Sequence, residues 1–231
     1  MDILGWDLEC SGLNADYGMI LCVGFKPVGT GRAEVWDVSQ YGNDYIKAEK
    51  KLLVDASAKL MEADTWLTWF GTYYDIPFIN SRLLYHRLPV LPASHPHIDG
   101  WRTAKNRLKL RNNRLNTVQD FLGLENEKNA VKGPEWIRAM TGDKKALKYI
   151  TDHCKRDVLV LEEAYNVLRP LIVDHPYRDV GKDQVCPICG EAELQKRGYH
   201  LTKTRKYQRY QCQNCGSWSK ATQPVSKLFL K

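Results

Sequence analysis

Four cysteines near the end of this chain constrain it more than any other feature. They stand as "CPICG" at residues 186–190 and "CQNCG" at 212–216, two CxxC pairs separated by 22 residues. A CxxC turns the chain so tightly that both sulfurs face one point, and the glycine after each pair permits the return. Four thiols gathered in this way match the tetrahedral ligand set of one structural Zn²⁺, with Cys186, Cys189, Cys212 and Cys215 as ligands. Between the pairs, "KRGYHLTKTRKYQRYQC" alternates like a β-hairpin. So short a segment buries little core, and the metal is expected to supply its fold. Disulfides are the competing pairing, but they require an oxidising compartment. The start, "MDILGWDLEC", lacks a basic segment followed by an apolar stretch and a cleavage site. No apolar run reaches the roughly 18 residues that cross a bilayer. An intracellular, cytoplasmic protein without membrane association is therefore expected.

The cysteine quartet divides the chain. Residues 174–185, "DHPYRDVGKDQV", mix proline, glycine and charge without periodicity and read as a linker between a main domain (1–173) and a zinc ribbon (186–231). Charge follows the same division. Residues 1–177 carry 23 Lys and Arg against 23 Asp and Glu, whereas 178–231 carry 11 against 4, so the whole excess of +7 lies in the tail. Within the neutral part, "WRTAKNRLKLRNNRL" (101–115) still collects Arg102, Lys105, Arg107, Lys109, Arg111 and Arg114 without an acid. Two basic zones point to a polyanion partner, and a solvated face is the alternative for the first of them.

In the main domain, residues 3–10, 19–25 and 33–38 read as an antiparallel meander. Apolar spacing predicts a helix over 44–62, a strand over 65–70 and a helix over 75–88 with Asp75 near its start. After the short "HID" (97–99), a helix at 115–124 stops near Gly123, and a long one over 143–168 ends before Pro170. Strands alternating with helices predict an α/β fold, a sheet with helices packed on its faces. Cys10, Cys22 and Cys154 stand singly in apolar surroundings and read as buried, inert thiols.

Against this pattern, several carboxylates are out of place. In "ILGWDLEC" the residues Leu4, Trp6, Leu8 and Cys10 share one strand face, leaving Gly5, Asp7 and Glu9 on the other. Two like charges at that spacing call for water or a cation, so a solvated edge-strand face and a cation site both explain the pattern. In the last helix, Ala146, Ile150, Leu161, Ala164 and Leu168 form one stripe with Asp157 in its middle and His153 one turn earlier. A carboxylate facing a core must be paired or hydrogen-bonded. Asp75 on its own reads as a helix N-cap. Were the four acids to converge, two hard divalent cations would balance them.

These segments, in this order, resemble the RNase H-like 3'-5' exonucleases of the DEDD class, which include polymerase proofreading domains and stand-alone nucleases. The resemblance covers about residues 1–172 and rests on "WDLECSGL" (Asp7, Glu9), "WFGTYYDIPFINSRLL" (Asp75) and "HCKRDVLVLEEAY" (Asp157), with "HIDGW" similar to a further signature of the group. Two positions depart from the family. Phe70 stands where an asparagine is usual, and His153 occupies the slot, four before the aspartate, that holds a tyrosine in one subgroup.

The resemblance implies an RNase H-like mixed sheet flanked by helices. It also implies hydrolysis of phosphodiester bonds with two Mg²⁺ or Mn²⁺ ions held by Asp7, Glu9, Asp75 and Asp157. In that frame Asp7 bridges the ions, Glu9 and Asp157 lie on the nucleophile side, Asp75 acts partly through water, and His153 stands near the attacking water.

The tail resembles the zinc ribbons of transposases and transcription proteins. Its Lys203, Arg205, Lys206 and Arg209, interleaved with Tyr207 and Tyr210, suit phosphate contact and base stacking, and a protein partner is the alternative. The expected function is a nuclease acting on DNA or RNA with a single-stranded 3' end. The rivals are a non-catalytic nucleic-acid-binding protein and a structure-selective endonuclease on the same fold.

Overall fold

The acid-bearing first strand lies at the centre of its sheet. The computed structural model describes residues 2–125, 133–177 and 184–227, and the chain divides into two compact units, Asp2–Asn166 and Val167–Lys231. In the first unit β1 (Ile3–Cys10), β2 (Ile20–Pro27), β3 (Glu34–Asp37), β4 (Thr65–Thr68) and β5 (His97–Asp99) form a mixed sheet in the order β3-β2-β1-β4-β5. The meander β1–β2–β3 is antiparallel, while β4 and β5 add parallel strands on the other side of β1. The edge-strand reading of β1 is thereby corrected. Only Asp7 in that strand is half-buried and every other residue is buried, because helices cover both of its faces.

Among the described residues, six helices flank the sheet: α1 (Tyr45–Glu62), α2 (Asp75–Tyr85), α3 (Gly100–Arg107), α4 (Leu115–Leu122), α5 (Gly133–Met140) and α6 (Lys144–Leu168). Helix α1 begins where the Asp44 carboxylate accepts the Lys47 N–H, and α4 ends at Gly123 in a left-handed conformation (φ 62°). The apolar face of β1 shares one core with α1: Trp6 and Leu8 cluster with Leu52, Leu53, Ala56 and Leu60, and Trp6 meets Trp66 of β4 edge-on at 6.1 Å.

Helix α2 is tied to α1 by a buried charge cluster that sequence patterning did not anticipate. Glu49, fully buried, accepts two hydrogen bonds from Arg82 (2.9 and 2.7 Å) and one from the Ile20 N–H, and lies 2.8 Å from His86 Nε2. A bidentate arginine and a backbone donor satisfy the carboxylate where water is excluded. This clamp fixes the orientation of α2 and hence of Asp75.

Helices α3 and α5 are further differences from the expected elements. Among α3's eight residues only Gly100 and Ala104 are buried, so no apolar stripe marks it. It forms because Asp99 caps its first turn, accepting the Trp101 N–H. Helix α5 is too short for its period to stand out. Strand β4 stops at Thr68 rather than 70, since Phe70 adopts φ +71° and leaves the extended region.

In the second unit, β6 (Leu194–Leu201), β7 (Arg205–Cys212) and β8 (Trp218–Lys227) form an antiparallel sheet in that order. The expected hairpin is β6–β7. Strand β8, which adds Trp218 and Lys220, escaped the sequence pattern because its residues do not alternate in polarity. Of the proposed linker at 174–185, residues 178–183 lie outside the described residues.

Candidate active site

Unequal strand lengths place Asp75. β4 pairs with β1 only through Ile3, Leu4 and Gly5, whereas β1 continues to Cys10. Beyond Gly5 the β1 edge that faced β4 needs other partners. Leu8 donates its N–H to Asp75 Oδ1 at 3.2 Å, in a fully buried setting. The expectation of Asp75 as an N-cap is therefore corrected: Tyr74 is the cap residue, without a side-chain cap bond, and Asp75 is the first helical residue with its carboxylate turned to β1. Burial drives its pKa up to about 7. The Leu8 and Asp75 N–H groups oppose that rise, and the charges of Asp99 and Asp157 add to it.

One glycine brings α6 onto the acid-bearing face. A Cβ on Gly24, the register partner of Asp7, would lie 2.7 Å from Cys154 Sγ and 3.1 Å from Val158 Cγ1, whereas one on Gly5 would meet Leu161 Cδ2 at an ordinary 3.7 Å. Without a side chain at Gly24 the helix settles close to the sheet, and a Lys26–Glu162 ion pair (2.7 Å) fastens it. The predicted stripe of α6 is buried, and its two polar members arrive beside β1. His153 Nε2 lies 3.7 Å from Glu9 Oε1 and 3.7 Å from Asp157 Oδ2, and all three residues are buried. Burial also pushes the Cys10 and Cys154 thiols well up, as their reading as inert predicts.

Asp7 and Asp157 open into a cavity of about 560 Å³, lined also by Trp69, Phe70, Trp101, Arg114 and Asn116. Asp99, at the end of "HID", shapes its rim. Its Oδ1 accepts the Phe70 and Trp101 N–H groups and its Oδ2 the Thr72 N–H, fixing the loop between β4 and α2. Of the predicted basic stretch, Arg114 lines the cavity and Lys105 lies over the Trp101 ring (4.7 Å). Arg102, Arg107, Lys109 and Arg111 are exposed and do not line it.

This arrangement fits divalent cations. Glu9, His153 and Asp157 each offer a donor atom, all within 4.8 Å of one another. Carboxylate oxygens dominate the set, which suits hard cations such as Mg²⁺ or Mn²⁺.

In the second unit, Cys186 Sγ lies 3.7 Å from Cys215 Sγ and Cys189 Sγ 3.6 Å from Cys212 Sγ. Sulfurs 2.3 Å from a tetrahedral Zn²⁺ are about 3.8 Å apart, and a disulfide is near 2 Å, so the group could hold zinc. Gly190 and Gly216 close the two knuckles at φ 83° and 73°, their N–H groups donating to Cys186 and Cys212 carbonyls. The core around them is Ile188, Leu194 and the cysteines themselves. Cations of this sheet lie over aromatic rings: Lys206 over Tyr199 (3.8 Å), Arg209 over Trp218 (4.4 Å) and Lys220 over Tyr207 (5.2 Å). Lys203 and Arg205 are exposed beside them, and Tyr210 is half-buried in β7.

A family model described as the RNase H superfamily matches residues 5–169, most of the chain. The chain belongs to the RNase H superfamily. No curated protein matches it in sequence. A solved structure, the family B DNA polymerase from the hyperthermophilic archaeon Pyrobaculum calidifontis, is similar over 89% of this chain with a TM-score of 0.56 and 14% identity. The chain spans 31% of that polymerase, and at this identity the likeness concerns the fold alone. Together these findings give the RNase H superfamily protein a nuclease-type fold, one that generally works with divalent metals. Among the described residues no helix is long and apolar enough to cross a membrane. Sequence reading did not assign a role in the site to Asp99, although "HID" contained it, nor to the loop aromatics around Phe70. Their signal lies in hydrogen bonds and ring contacts between distant segments.

Proposed function

We propose that this protein is a metal-dependent 3'-5' exonuclease that hydrolyses phosphodiester bonds, with a zinc ribbon as a second grip on the nucleic acid. One observation carries the reading. Acids from three elements meet at β1: Asp157 of α6 flanks His153 opposite Glu9 and shares a cavity with Asp7, and Asp75 of α2 reaches the strand at Leu8, three of the four being buried. Buried carboxylates brought this close to one another suit hard divalent cations, which balance their charge. The four acids would hold two Mg²⁺ or Mn²⁺, which when bound neutralise phosphate charge and make water a better nucleophile at neutral pH.

The chain's own groups divide the remaining work. His153 Nε2, beside Glu9 and Asp157, accepts a proton from the water that attacks phosphorus. Arg114 at the cavity draws in a phosphate. Asp75 holds β1 and α2 in register through the Leu8 N–H. Since the acids repel a polyanion, the basic tail offsets this by raising the local concentration of substrate.

An end-labelled single strand, as DNA and as RNA, with Mg²⁺ or Mn²⁺ tests the reading, with Asp7→Ala as control. A ladder shortening from the 3' end that disappears in the variant is the expected result. Internal cuts would establish an endonuclease. Binding that leaves the strand intact with both metals would establish a non-catalytic binding protein.

A further inference from the structure

From Leu194 to Lys227 the second unit carries eight Lys and Arg and neither Asp nor Glu. So much like charge on one small sheet calls for a polyanion, and the strand register shows where that charge faces. In β7 alternate residues share a face, which puts Tyr207, Arg209 and Gln211 on the side away from Cys212. Across the ladder Arg209 stands opposite Lys220, and Gln211 opposite Trp218. Tyr207, Arg209, Trp218 and Lys220 therefore form one face, turned from the cysteine cluster. Arg209, Trp218 and Lys220 are exposed on it.

Each ring of this face already carries a cation. The Arg209 guanidinium lies over Trp218 at 4.4 Å, and the Lys220 ammonium lies over Tyr207 at 5.2 Å. Arg209 is held a second time, its Nε donating to the Arg197 carbonyl at 3.3 Å. A base stacks on a bare π-face, and here cations take that place. The face offers instead positive charge held in position before a ligand arrives, so that less conformational entropy is lost in gripping an anion.

We propose that this β7–β8 face binds the sugar–phosphate backbone of a nucleic-acid duplex, through charge and without contact to bases. The proposal rests on the reading of the ribbon as a grip on nucleic acid, and it names the form that is gripped. A duplex presents about one phosphate per 1.7 Å of its axis, twice the density of either strand alone. Charge without an open ring therefore favours the paired form over the single strand. In this arrangement Tyr207 and Trp218 position cations rather than stack bases.

The test measures binding of the full chain, carrying Asp7→Asn to prevent hydrolysis, to a blunt duplex and to a single strand of the same length over a series of salt concentrations, as DNA and as RNA. Adding Arg209→Gln and Lys220→Gln together should lower the slope of log affinity against log salt by about 1.8 on the duplex, and each alone by about half of that. The pair should weaken duplex binding more than single-strand binding. Arg209→Lys with Lys220→Arg, which keeps both charges, should restore the parent slope. Trp218→Leu also keeps both charges and should leave the slope unchanged, with duplex affinity falling no more than about 5-fold. Zinc content checks that the ribbon is folded in each variant. A larger loss on the single strand than on the duplex, or a Trp218→Leu protein that loses single-strand binding alone, would overturn the duplex assignment while leaving the ribbon a grip on nucleic acid. Unchanged binding of both forms in the double Gln variant would remove the grip as well. No step depends on catalysis, so a wild type that cuts nothing would end the nuclease reading and leave this face to be decided by the salt slopes.

Discussion

Gly24→Ala tests whether close approach of α6 makes the site. The added methyl carbon would sit 2.7 Å from Cys154 Sγ, 3.1 Å from Val158 Cγ1 and 3.3 Å from the Cys154 carbonyl oxygen, against about 3.5 to 4.0 Å for relaxed contacts. Rotation of the Cys154 side chain relieves the first overlap but neither of the others, because Val158 is branched and the carbonyl belongs to the helix. Helix α6 must therefore retreat by several tenths of an ångström. It carries His153 and Asp157 with it, away from Glu9 and Asp7. Overpacking of this kind costs about 1–3 kcal/mol, and misplacing reacting groups on this scale costs up to about 10²-fold in rate. The variant should melt lower, bind Mn²⁺ more weakly and lose most of its hydrolysis. Adding Cys154→Ala removes the worst overlap and should recover part of both losses. A Gly24→Ala protein with the stability, Mn²⁺ affinity and rate of the wild type would refute the claim that glycine at this register position sets the depth of the helix.

Three further outcomes follow from the same geometry. Because burial raises Asp75 to about 7 in the fold against about 3.9 unfolded, the native state holds the extra proton between these values. The metal-free protein should thus lose stability as pH rises from about 4 to 7, and Asp75→Asn should flatten that slope in denaturant titrations; an unchanged slope would contradict the assignment. Glu49→Ala leaves Arg82 buried without its partner, and chemical denaturation should show a loss of about 3–5 kcal/mol; a loss under 1 kcal/mol would mean that the clamp does not hold α2. Purified protein should carry close to one zinc per chain, and Cys212→Ser should release it and expose the 184–227 segment to protease while the first unit keeps its thermal transition; full metal retention would rule out the four-cysteine site.

Much of this protein was legible from local chemistry. The two CxxC pairs, with glycine after each, specify knuckles through nearest neighbours alone, and the structure brings all four sulfurs together. The alternation in β1 and the stripe of α6 placed Asp7, Glu9, His153 and Asp157 on the right faces, since periods of two and 3.6 are properties of the backbone. Local patterning failed where a residue's partner is distant in the chain. Asp75, taken alone, read as a helix cap and, taken with the other acids, as a metal ligand; that its carboxylate accepts the N–H of Leu8, 67 residues away, was not legible. The charged second face of the first strand left an edge strand and a cation site both open, and the strand is central because β2 and β4 pair along its two edges. Tertiary structure alone decided that Gly24 admits the helix, that Glu49 anchors Arg82 and that Asp99 holds Phe70 in a strained conformation. Each of these is a contact between segments with no shared periodicity, and only the folded chain brings such groups within reach of one another.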